Sequence, residues 1–257
     1  MLRIAVVVSL GLAGSTLGAD PFADRVVSYV AGEGVAAGYD DPTTAIGSPT
    51  RVNYFGDTVT PFNTPYWSTD VVSVGRGGSL VVAFDEAILD NPLNPFGIDL
   101  LVFGNQFFIT DSNGRLTGLF DEGGQIELSA DGNTWIAVTG LTAEGGFPTL
   151  GFVGITDLQF GSDQGTGPTD FTKPVNPQLN WIGMTREELA AAYDGSGGGL
   201  GIDIGAYGLG SVSYVRISNA IDAVGIPEID GFAAVTPVPA PAAILPLAAW
   251  FMRRRSR

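Results

Sequence analysis

The 257-residue sequence has no cysteine and no histidine. Without Cys there is no disulfide, no thiolate nucleophile and no thiolate metal site. Without His, the Ser-His-Asp and Cys-His mechanisms, the usual zinc sites and the usual general base near neutral pH are excluded. Neither GxxxxGK[ST] nor GxGxxG occurs, and the Gly-rich stretch 194–201 lacks the lysine of a phosphate loop. Lysine itself is nearly absent: Lys173 is the sole example. Nucleic acid is therefore not an expected partner, because binding phosphates needs clustered Lys and Arg. No apolar run reaches the roughly 20 residues that span a bilayer.

What basic residues there are sit largely at the ends. Arg3, Arg253, Arg254, Arg255 and Arg257 take five of the twelve, leaving seven against all 27 acidic residues in 20–236, a formal charge of −20. Residues 1–19 read as a secretory signal: one basic residue, an apolar stretch, then small residues, with cleavage after Gly18 or Ala19. Residues 237–257 place Val238-Pro239-Ala240-Pro241 before a short apolar run and the Arg cluster. This layout resembles the carboxy-terminal sorting signals of bacterial surface proteins called PEP-CTERM, which an exosortase-type enzyme processes. The resemblance implies that Pro239, Pro241, Arg253, Arg254 and Arg255 direct sorting, and that the tail engages the membrane only before processing. The chain departs from the pattern in having Ala240 where Glu is usual and Pro246 inside its apolar run. The expected location is the cell surface or extracellular matrix.

Residues 20–236 are read as one domain. Low charge, 37 glycines and short alternating runs predict an all-β fold, an antiparallel β-sandwich with one short helix. Strands are predicted at 25–31, 79–88, 98–103, 212–218 and 229–235. A hairpin is predicted over 125–138, where Asp131-Gly132 separates two alternating runs and Gly takes positive φ cheaply. Thr185 and Glu188 form a capping-box pattern ahead of Leu189 to Tyr193, which predicts a helix lying across an end of the sandwich. The stretches 140–150 and 161–180 read as loops, where binding function usually sits.

Several blocks together resemble one recurring kind of PEP-CTERM surface protein. They are Asp41-Pro-Thr-Thr-Ala45-Ile-Gly47, Gly97-Ile-Asp99-Leu-Leu-Val-Phe103-Gly-Asn105, Glu127-Leu-Ser-Ala-Asp131-Gly-Asn-Thr-Trp135, Tyr193-Asp-Gly-Ser-Gly-Gly-Gly and Glu228-Ile-Asp230-Gly-Phe232. The ending, with Tyr214-Val-Arg-Ile, is also similar to discoidin and carbohydrate-binding domains. That resemblance implies a galactose-binding-like jelly roll, in which an early acidic loop and a late Glu surround a structural calcium. It names an architecture and no ligand.

Candidate sites follow from residue chemistry and this resemblance. Asp40 or Asp41, together with Glu228, are candidate calcium ligands; turn chemistry by the two aspartates is the alternative. Asp99 lies within an apolar strand, so it needs a partner or a metal if buried, or else faces solvent on an edge. Asp203, after the Gly-rich loop, has the same ambiguity. Trp67, Trp135 and Trp181 are of a type that stacks on sugars, but Trp135 is expected in the core; Trp181 and Phe171 are taken as the exposed ligand-binding candidates. Asp85-Glu86 and Asp121-Glu122 make poor glycosidase couples, since neighbours on a strand point to opposite faces. The expected function is a non-catalytic surface or matrix module. A carbohydrate-binding module for exopolysaccharide is the alternative, and a secreted polysaccharide hydrolase a third.

Overall fold

The computed structural model describes residues 20–236, so the leader pattern and the sorting residues lie outside the described residues. In chain order the strands are β1 Arg25–Val30, β2 Val72–Ser73, β3 Ser79–Leu89, β4 Leu100–Gly104, β5 Phe107–Thr110, β6 Leu116–Phe120 and β7 Gln125–Ser129. They continue with β8 Ile136–Val138, β9 Phe152–Val153, β10 Gly167–Pro168, β11 Leu200–Ile202, β12 Ser211–Ser218 and β13 Glu228–Ala234, and one α-helix, α1, spans Arg186–Ala192. Two antiparallel sheets form the sandwich, one in the order β1-β3-β12-β7-β8 and the other β11-β4-β13-β2. β5–β6 and β9–β10 are separate two-stranded ladders.

The alternation in the sequence decides which face turns inward. Leu80, Val82 and Phe84 of β3, Val215 and Ile217 of β12, and Ile126 and Leu128 of β7 recur at every second position, so each set lies on one face. They meet Leu100 and Val102 of β4 and Phe232 of β13 in a single core. Ile229 joins the same core although it lies three residues from Phe232; a register shift between Ile229 and Gly231 reverses the phase. On the outer face of β12, Arg216 forms a bidentate ion pair with its cross-strand neighbour Glu127. Its guanidinium also stacks over Trp135, 4.3 Å from the ring centre. Trp135 is thus half-buried beneath Arg216, not part of the core as expected.

β4 and β13 are covered on both faces. Leu101, Phe103 and Ala233 turn away from the sandwich interior and pack with Ile98, Phe171 and Val235. This explains why 98–103 reads as an almost unbroken apolar run.

The helix packs on the β5–β6 hairpin: Leu189 and Tyr193 join Phe108, Leu116, Leu150 and Leu158. Its capping box is formed, with Glu188 N–H donating to Thr185 Oγ1 and Thr185 N–H donating to Glu188 Oε2. The first and last segments of the domain also meet. Phe22 bridges Ala233, and Ala234 N–H donates to Pro21 O at 2.7 Å.

Candidate functional site

At the edge of the four-stranded sheet the chain brings three aspartates together. Asp90 immediately follows β3, Asp99 immediately precedes β4, and Asp203 immediately follows β11, which pairs with β4. One carboxylate oxygen from each lies within 4.8 Å of the others. Asp99 is fully buried, Asp203 half-buried and Asp90 exposed, so the cluster runs from the interior to the surface.

Asp99 is the organising group. Its Oδ1 accepts from Asn91 N–H at 3.0 Å and from Asn94 Nδ2 at 2.8 Å, and its Oδ2 accepts from Ile204 N–H at 3.2 Å. Burial pushes its pKa up; these hydrogen bonds oppose the shift, and the nearby Asp90 charge adds to it. The loop that supplies the donors turns sharply. Asn91 Oδ1 accepts Leu93 N–H, and Phe96 and Gly97 both hold positive φ, 61° and 72°. Asp203 Oδ1 accepts Ala206 N–H at 3.1 Å.

Asn94 lies beside the cluster. Asn94 is 6% exposed, and its Oδ1 is buried without a hydrogen-bond partner. The carboxamide sits against Asp99 through Nδ2, so its oxygen is turned away from that carboxylate. Three carboxylates are hard ligands, suited to a hard divalent cation. The acidic triad can hold a metal ion.

Asp99 and Asp203, singled out from sequence, do come together, and Asp99 is interior, not solvent-facing. Asp90 is missed by sequence reasoning. The signal available was an acid opening the Asn- and Pro-rich turn that ends at Asp99, yet its partner Asp203 is more than a hundred residues away.

The other candidates are placed differently. Asp41 caps a short 3₁₀ turn, its Oδ1 accepting from Thr43 N–H and Thr43 Oγ1, which is the turn chemistry weighed against ligation. Asp40 is exposed. Glu228 accepts from Ser73 Oγ and from Asn105 Nδ2, while Ser73 N–H donates to Tyr39 O. The early acidic segment and the late Glu therefore approach through Ser73, but neither belongs to the three-carboxylate group found among the described residues.

Phe171 is a correction: it is 1% exposed, not on the surface. It packs edge-on against Phe103, and the Arg51 guanidinium covers its ring at 3.9 Å. Gly197 makes the space, since a Cβ there would collide with the Phe171 ring. Trp181 is half-buried against Phe108, with ring centres 4.8 Å apart. The exposed aromatic group lies elsewhere: Tyr54 stacks on Trp67 at 5.3 Å and Phe55 on Tyr66 at 6.0 Å.

No protein-family model matches the chain, and no curated protein matches it significantly.

Proposed function

We propose that this protein is a non-catalytic extracellular surface or matrix module whose sandwich holds calcium at Asp90, Asp99 and Asp203. The convergence of three carboxylates on one point supports the metal. Calcium takes six to eight oxygens, so backbone carbonyls or water complete the set. Like charges this close repel, and a bound dication relieves that repulsion. The export and sorting patterns at 1–19 and 237–257 support the location, and the absence of His and Cys supports a role in binding or scaffolding. Extracellular calcium would then act as the staple that cysteine does not supply.

The test is thermal unfolding at constant ionic strength. A ligand that binds only the native state stabilises by about 2.7 kcal/mol at a hundredfold excess over Kd. For a domain of this size that is about 5–10 °C in Tm. Millimolar calcium should raise Tm by that amount, EGTA should reverse it, and Asp90→Asn or Asp203→Asn should abolish it. An unresponsive wild-type Tm would falsify the site.

A further inference from the structure

Seven basic residues lie in 20–236, and four of them, Arg25, Arg115, Lys173 and Arg216, hold carboxylate partners. Arg51 is engaged internally, donating to Gly151 O and stacking on Phe171, and Arg76, also without an ion pair among the described residues, lies beside Gly34. Arg186 is placed otherwise. At the first position of α1 it makes one hydrogen bond among the described residues, from Nη2 to Thr110 Oγ1 at 3.1 Å. Its Nε is buried with no acceptor, and its guanidinium carbon lies 5.1 Å from the centre of the Phe62 ring. It forms no ion pair with a described carboxylate, its chain neighbours Glu187 and Glu188 included; Glu188 reaches Arg115 instead. A guanidinium has five donors in a planar fork that fits a carboxylate bidentately.

Arg186 lies in the wall of a cavity of about 370 Å³, within the usual range of small-molecule sites. Phe62, Phe107 and Phe160 form its apolar lining, Asn63 and Gln159 are polar, and Arg186 supplies the charge. Phe160 is 64% exposed, so a large ring is presented to solvent at the cavity. An apolar face, the Gln159 amide and the Asn63 oxygen for hydroxyls, and the guanidinium donors that Thr110 does not take are together the complement of a sugar acid; Asn63 Nδ2 is already held by Phe160 O. We propose that this cavity binds a hexuronate residue of an acidic glycan, with its carboxylate on Arg186 and its C–H face against Phe160. The overall negative charge does not forbid this, because at physiological salt charges more than about 8 Å away are largely screened. The inference goes beyond the surface-module reading and is independent of the aspartate cluster.

Calorimetry on the purified protein in EDTA, which removes calcium bridging between uronates, tests the proposal. Tri-galacturonate should bind, and its methyl ester, which keeps the rings and removes the charge, should bind at least tenfold more weakly. Arg186→Met should lose at least tenfold, Arg186→Lys less, and the exposed Phe160→Ala should also weaken binding with an unchanged Tm. No binding of tri-galacturonate by wild type, equal binding of the ester, or full affinity in both Arg186→Met and Phe160→Ala would overturn it. Benzoate binding as tightly as tri-galacturonate would overturn the glycan assignment.

Discussion

Gly205 fixes where the Asp90 carboxylate can sit. A Cβ at position 205 would lie 2.8 Å from both Asp90 oxygens, so a side chain there must push the carboxylate aside. Asp90 is exposed and its carboxylate is the free end of a side chain, so the displacement is cheap for the fold and costly for a ligand set. Gly205→Ala should leave the calcium-free protein within about 0.5 kcal/mol of wild type, as surface substitutions usually do. Calcium affinity should fall by roughly ten- to a hundredfold, the scale of losses when supports of a metal site are altered. Titration of both proteins with calcium checks this, and an unchanged affinity would remove Asp90 from the site. At this scale the sequence is informative only where chemistry is local. Asp99 in an apolar run marks an acid that is either partnered inside or on an edge, without saying which; nothing near Asp90 announces that it meets Asp203, because β3 and β11 lie in different sheets and only their packing brings the two ends together. Phe171 misleads for the related reason that a Gly- and Pro-rich loop can still bury one ring under an arginine.

Among the elements, α1 is the one whose ends are written in the sequence. Thr185 and Glu188 bond reciprocally across the first turn, and the helix is only seven residues long, so its start contributes much of its definition. Thr185→Ala should cost about 1 kcal/mol, the usual loss for a removed cap, and urea unfolding should show it as a lower midpoint at unchanged slope. A stability equal to wild type would mean that packing of Leu189 and Tyr193 alone sets the helix. The β7–β8 hairpin is legible for a similar reason: Gly132 holds φ +75° and Asp131 Oδ1 accepts from Asn133 and Thr134 N–H. The β5–β6 hairpin is not, since both faces of β5 carry aromatics, Phe107 stacking on Phe120 and Phe108 turning into a core. Period-two contrast vanishes when both faces are apolar. β11 escapes notice because its three residues include a glycine and follow a glycine run.

For the molecule as a whole, the acidity is distributed in two opposite ways. Glu144 and Asp230 are buried, Glu228 half-buried, and burial pushes their pKa values up, to about 8 for Glu144 and about 7 for Glu228 and Asp230. A group raised in the folded state stabilises fully below its unfolded pKa and loses that contribution as pH rises through the folded value. Turn acids such as the exposed Asp111 and Asp131 and the half-buried Asp163 are held low by backbone N–H donors, and their contribution is lost as pH falls through their depressed values. Together these place the stability maximum of the calcium-free protein on the acid side of neutrality, at about pH 4, where unfolded carboxyls titrate. Between pH 5 and 9 several kcal/mol should be lost, given about 1.4 kcal/mol per pKa unit per group. Denaturant midpoints measured across that range in EDTA check the slope; a stability that rises toward pH 9 would contradict the protonated state of the buried acids. The contact between Pro21 and Ala234 has a mechanical meaning as well. Because the polypeptide enters and leaves the sandwich at neighbouring points, a pull on the segment after Ala234 falls first on that short clamp at the end of β13. The first event under such a load would be the parting of the domain's two ends, with the rest of both sheets still closed.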